Sequence, residues 1–252
     1  MIFLKSAREI EIMRRANRVV AEVLQLLKEN IAPGVTTLEL DAMAEEMTCK
    51  NHARPAFKGY TMLRRVYPSS LCTSVNEEVV HGIPSNRVLE EGDIVGIDFG
   101  VIIEGFYGDA AMTVGVGQVS NDAKRLMQVA EESLYLGVEE LHEGKRLGDF
   151  SSKVQKTVES AGFSVVREFV GHGIGKMLHE EPPIPNYGEP DRGPRLVEGM
   201  VLAIEPMVNA GGCEVELKED GWTAVTKDRS LAAHFEHSVA ITKNGPSILS
   251  NL

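Results

Sequence analysis

The chain has 252 residues and a formal net charge of −11 at pH 7, from 26 Lys+Arg against 37 Asp+Glu. Gripping nucleic acid through its phosphates calls for a basic face, so this balance argues against DNA or other nucleic acid as the bulk partner. The 43% hydrophobic and 25% charged content is that of a globular chain with a real core, which sets aside a disordered tail, a collagen-like repeat or a coiled-coil rod.

The start, Met1-Ile2-Phe3-Leu4-Lys5, turns polar at once, unlike a secretory signal with its apolar run and small-residue cleavage site. No apolar stretch approaches the ~18 residues of a membrane span, so a soluble, cytoplasmic protein with no membrane partner is expected. Cys49, Cys72 and Cys213 are an odd set without CxxC spacing, which argues against a disulfide framework or a zinc knuckle. They read as small buried hydrophobes.

From Arg8 to Ile31 apolar residues recur with a 3.6-residue period at Ile10, Met13, Val20, Val23, Leu24, Leu27 and Ile31, predicting a long amphipathic helix that stops at Ala32-Pro33-Gly34. A second helix is predicted from Thr37 to about Cys49, with Thr36 or Thr37 as N-cap. Helices recur from about Asp122 to Glu140, breaking at Glu143-Gly144, and from Asp149 to Gly162. Strands recur too. The segments from Glu91 to Asp98 and from Glu198 to Glu205 match at an offset of 107 residues, close to the 110 that separate the helix breaks Gly34 and Gly144. The repeat predicts an α+β fold, residues 1–252 forming a single domain of two pseudo-symmetric helix-helix-strand-strand halves.

Each matched strand is read as ending in an acid, Asp98 or Glu205. A second strand in each half carries another, Asp109 and Glu236. Side by side, four carboxylates converge on the axis between the halves. Alone they would repel and protonate, whereas two divalent cations supply +4 against −4. Oxygen-rich ligands suit Mn, Fe, Co or Zn in a two-metal site. Between the strand pairs, Gly171-His172-Gly173-Ile174-Gly175-Lys176-Met177 lacks the GxxxxGK[ST] spacing of a phosphate loop; its glycines instead let backbone pack close and set His172 against a metal. His179 reaches the same cavity, and His81 is a third candidate. His52, His142 and His234 read as surface or structural histidines.

Taken together, the segments from Ser74 to Pro84, Asp98-Phe99-Gly100 with Gly108-Asp109, Gly171 to Gly175, His179-Glu180-Glu181-Pro182, Ile204-Glu205-Pro206, Asp220-Gly221-Trp222, and Thr226 to Ser230 leading to Phe235-Glu236-His237 resemble the type I methionine aminopeptidases over essentially the whole chain. The resemblance implies the pita-bread fold around a dinuclear metal site with ligands Asp98, Asp109, His172, Glu205 and Glu236, of which Asp109 and Glu236 bridge the metals. It implies hydrolytic release of an initiator methionine that precedes a small residue, by a metal-bridging hydroxide. Glu205 then moves the proton, His179 meets the scissile carbonyl, His81 meets the amide nitrogen, and the substrate's free α-amine binds a metal. The implied substrates are N-terminal methionyl peptides and nascent chains, and the implied oligomeric state is a monomer. The side-chain pocket is drawn from Cys72, Trp222, His81, Leu178, Tyr60 and Tyr67.

Two features depart from the family pattern. Thr61-Met62-Leu63-Arg64-Arg65-Val66 lengthens the stretch between Tyr60 and Tyr67-Pro68 by roughly four residues, and Leu178 stands where Phe is usual; both lead us to expect a more open pocket rim. Arg64 and Arg65 read as a solvated loop, with a small basic contact to the ribosome surface as the alternative. The rival functions are an Xaa-Pro aminopeptidase or dipeptidase on the same fold, which usually carries a large N-terminal domain, and a peptide-binding homologue without catalysis. The short interval from His172 to Glu205 does not accommodate the inserted subdomain of type II enzymes.

Overall fold

The computed structural model describes residues 1–62 and 64–252; Leu63, within the lengthened stretch after Tyr60, lies outside them. Four helices form where the periodicity predicts: α1 (Ala7–Asn30), α2 (Thr37–Lys50), α3 (Asn121–Val138) and α4 (Leu147–Ser160). Their starts are chemically specified. The Ser6 hydroxyl accepts from the Glu9 N–H while the Glu9 carboxylate accepts from the Ser6 N–H, and Thr36 and Glu39 repeat this reciprocal cap on α2, satisfying donors that a helix start leaves free. Ser120 caps α3 through the Ala123 N–H.

The main sheet runs, in spatial order, Arg54–Pro55, Ile94–Ile103, Phe106–Gly115, Glu236–Thr242, Val201–Ile204, Gly171–Gly173 and Glu180–Ile184; Leu71–Val75 also pairs with Ile94–Ile103, and Gly245–Ile248 with Glu236–Thr242. The strands Phe106–Gly115 and Glu236–Thr242 pair across the middle, so the halves share one sheet. In the first half, Val95, Ile97, Phe99 and Val101 pack with Val20, Leu24 and Leu27 of α1 and Leu40 and Ala44 of α2. In the second, Leu202, Ile204, Val239 and Ile241 pack with Leu126 and Leu134 of α3 and Phe150 and Val154 of α4. Because strand side chains alternate, the intervening positions, Asp98 and Glu236 among them, project from the face opposite the helices. This is the repeated α+β arrangement that the sequence predicts.

Two expectations need correction. Asp98 does not end its strand, which continues to Ile103. Gly100 makes the continuation possible: a Cβ there would stand only 3.0–3.1 Å from Phe57, Ala56 and the Gly108 carbonyl. Only Cys72 of the three cysteines is buried; Cys49 is exposed and Cys213 half-buried, Cys49 lying in the last turn of α2. Among the described residues no helix is long and apolar enough to cross a membrane.

Candidate metal centre and its cavity

Register places the acids. Asp98 pairs with Cys72 on one side and Ala111 on the other, and Ala111 pairs in turn with Glu236. Directly paired residues share a face, so Asp98 and Glu236 flank a methyl group and the space over Ala111 stays open. Asp109, two residues before Ala111, projects from that face. Ile204 pairs with His237, which brings Glu205 beside Glu236. Ala203 pairs with His172. The flanking glycines are needed here: a Cβ on Gly171 would lie 2.5 Å from the Ala203 carbonyl oxygen, and one on Gly173 would lie 2.2 Å from that of Glu181. All five residues line one cavity of about 280 Å³.

The donor set fits a bound cation. One ligand atom each from Asp109, His172 and Glu236 lie within 4.8 Å of one another. Asp98 Oδ1, Asp109 Oδ1 and Glu236 Oε1 are buried with no hydrogen-bond partner among the described residues, each an uncompensated cost of about 1–3 kcal/mol or more for a charged group. Burial pushes the Asp98 carboxyl up to about 7. Burial, reinforced by the other carboxylates, pushes Asp109, Glu205 and Glu236 well above the ordinary range. Divalent cations relieve both the orphaned oxygens and the mutual repulsion. Burial holds the His172 imidazole down to about 3, hence neutral. Its Nδ1 is 2.9 Å from the Gly173 carbonyl oxygen; a carbonyl only accepts, so Nδ1 carries the proton and Nε2 keeps a lone pair for a metal.

The remaining histidines that the sequence singles out gather around this cluster. The His179 ring lies 4.3 Å from that of His172, centroid to centroid, and its Nδ1 is 2.7 Å from the Tyr60 hydroxyl. With that hydroxyl donating, Nε2 of His179 is the protonated nitrogen. The next residue, Glu180, anchors the turn: it accepts from Lys5 Nζ at 2.7 Å and from the Lys176 and Met177 backbone N–H groups at 2.8 and 3.2 Å. His81 is half-buried and packs against Phe169, edge to face at 5.5 Å. It adopts φ +61°, a conformation sparsely populated by residues other than glycine and found often at functional sites. Burial lowers His81 to about 4.

Apolar walls complete the cavity. Cys72, Tyr60, Tyr67, Leu178 and Trp222 line it together with Phe57, Val80, Phe169 and Val170. Tyr67 donates to the carbonyls of Leu71 and Gly82 and meets Trp222 edge to face at 5.2 Å, so its position is fixed at both ends. In the lengthened stretch Thr61–Met62 pairs antiparallel with Arg65–Val66, and Met62 joins the cavity wall. His234, which the sequence reads as a surface or structural histidine, is buried with Nε2 3.6 Å from Glu205 Oε2, beside the cluster rather than at the surface. Its position two residues before Glu236 was the available signal, since i and i+2 share a face in an extended chain.

Comparison with known proteins agrees with this geometry. Residues 11–243 match the model of metallopeptidase family M24. The chain is 53% identical to methionine aminopeptidase 1 of Bacillus subtilis over 252 residues, covering all of both chains. It superposes on the crystal structure of a methionine aminopeptidase from Thermotoga maritima with a TM-score of 0.97 at 48% identity, again over the whole of both chains. A prolidase from Pyrococcus furiosus shares the fold alone, with a TM-score of 0.80 at 24% identity over 99% of this chain and 65% of that one. The chain is therefore a member of metallopeptidase family M24, with its pita-bread fold.

Proposed function

We propose that this protein is a methionine aminopeptidase, releasing the N-terminal methionine from peptides and nascent chains whose second residue is small. The observation that carries the reading is the convergence of five metal-competent residues from both halves in one largely apolar cavity. Full-length relatives of about half identity bear that activity in their names.

Asp98, Asp109, His172, Glu205 and Glu236 would hold the metal, which we take to be two divalent ions of Mn, Fe, Co or Zn. Bound there, the ions would supply the Lewis acidity that makes water nucleophilic near pH 7. Glu205 accepts the proton of the attacking water and returns it to the departing amine. His179, its Nδ1 held by the Tyr60 hydroxyl, directs an Nε2–H at the carbonyl oxygen as charge develops there. His81 meets the scissile amide nitrogen. The methionine side chain lies among Cys72, Tyr67, Leu178 and Trp222, where a thioether packs well against aromatic edges. A cavity of about 280 Å³ holds one such residue and not a through-running chain, which restricts cleavage to a terminus.

The decisive assay compares Met-Gly-Met-Met with Xaa-Pro peptides in chelated and metal-restored protein. Metal-dependent cleavage of the first alone supports the proposal. Preferential Xaa-Pro cleavage, or full activity after chelation, refutes it.

A further inference from the structure

His234 ends the strand Ala232–His234, and its backbone is held on two sides. Its N–H donates to the Thr113 hydroxyl, which donates to the His234 carbonyl, both at 2.9 Å; it also pairs with Met207, two residues beyond Glu205. The His234 backbone is thus tied both to the strand that carries Asp109 and to the segment that follows Glu205. Its side chain is only 3% exposed, and Nε2 has no hydrogen-bond partner among the described residues. A buried imidazole nitrogen in a rigid setting normally has one.

The carboxylate that faces this nitrogen is that of Glu205. Its Oε2 is 3.6 Å from His234 Nε2 and its Oε1 is 3.6 Å from His172 Nε2, so an imidazole addresses each oxygen. The two differ in aspect. His172 and Glu205 line the cavity, whereas His234 is not among the cavity's lining residues and lies behind the carboxylate. At 3.6 Å neither contact is yet a hydrogen bond, but a small rotation of the carboxylate closes the gap to Nε2, and such contacts tighten when a site is loaded.

We propose that His234 is a positioning residue for Glu205: its Nε2–H donates to Oε2 and sets the carboxylate's rotation, leaving Oε1 for the cavity. A metal-ligating carboxylate is commonly held in this way by a donor behind it, and loss of such a partner costs about 10–100-fold in metal affinity or activity. His234 does not itself touch metal or substrate. The inference rests on the reading of Glu205 as both ligand and proton carrier.

The test compares wild type, His234→Leu, which removes the donor, and His234→Gln, which keeps an N–H on a side chain of similar reach. Mn²⁺ is titrated calorimetrically into chelator-stripped protein, and kcat and KM are measured on Met-Gly-Met-Met. His234→Leu is expected to weaken Mn²⁺ binding and lower kcat, each by about 10–100-fold, with KM within about twofold, and His234→Gln to recover most of both. A Leu variant matching wild type in both readouts, or a Gln variant as impaired as the Leu variant, overturns the proposal. Should His234→Leu fail to melt cooperatively, ¹⁵N-histidine spectra of the wild-type holoenzyme decide: a protonated, hydrogen-bonded Nε2 on His234 supports the proposal and an unprotonated Nε2 overturns it. Failure of wild type itself to bind Mn²⁺ or cleave the peptide refutes the underlying function instead, so the two failures are distinguishable.

Discussion

In the first half, Asp98 and Asp109 project from two ten-residue strands that pair along their whole length. In the second, Glu205 lies one residue past a four-residue strand and Glu236 opens its own. Short carboxylates on a continuous ladder have few rotamers and little backbone freedom. Longer ones at strand ends have more rotamers open to them and need a neighbour to orient them, which His234 is placed to be for Glu205. The difference teaches a division of labour: on the proposed mechanism the first half fixes where the cations lie, and the second supplies the group that carries protons.

Breaking the rigid side should have the largest effect. Asp109→Asn is expected to abolish detectable peptide cleavage and reduce the Mn²⁺ bound per chain in calorimetry, with the circular dichroism spectrum retained; full metal occupancy in this variant would contradict the division. Glu205→Gln, in the second half, should lower kcat by about 10²–10⁴-fold while some Mn²⁺ remains bound. Equal losses of metal in the two variants would erase the contrast between the halves.

Next in size comes the group that meets the carbonyl oxygen. His179→Ala should cost about 10²–10³-fold in kcat. Tyr60→Phe removes only the hydroxyl that holds Nδ1, and about a tenfold loss or less is expected; a Tyr60→Phe loss as large as that of His179→Ala would show that Tyr60 acts on substrate directly.

The crowded carboxylates also predict a pH dependence for the metal-free protein. Asp98 titrates near 7 in the fold against about 3.9 in an unfolded chain. A raised folded value means that stability is fully present below the unfolded pKa and is lost as pH rises through the folded one. Chelated protein should therefore lose melting temperature between about pH 4 and pH 7, and metal should restore more of it at pH 7 than at pH 5. A metal-free melting temperature that rises monotonically across this window would be inconsistent with an uncompensated carboxylate cluster.

The smallest effect concerns the rim. Met62→Ala should raise kcat/KM for Met-Leu relative to Met-Gly peptides by a few-fold, the value of about one or two methylenes of contact. An unchanged ratio would place Met62 outside the second-residue contact.

Much of this was legible in the sequence because it is periodic. The 107-residue offset between Asp98 and Glu205 reflects a structural repeat, and period-2 alternation sends both acids to the face away from the helices. The glycines around His172 could be read as close packing, and the backbone distances bear that out. What escaped is what depends on register between distant segments. His234 is defined by Thr113, 121 residues away, and no local pattern announces that contact. The length of the Ile94–Ile103 strand goes with the close packing of Phe57 and Ala56 over Gly100, and the place of Met62 in the cavity wall is equally a contact between distant segments.

The central claim is that residues of both halves hold two divalent cations and that these make the cavity a methionine-specific hydrolase. One titration tests it most directly: Mn²⁺ added to chelator-stripped protein, with bound metal and cleavage of Met-Gly-Met-Met followed in the same samples. The account predicts two ions per chain, activity that rises with occupancy, and no cleavage of Xaa-Pro peptides at any point. Full cleavage in the stripped protein, or activity that does not follow bound metal, would contradict it.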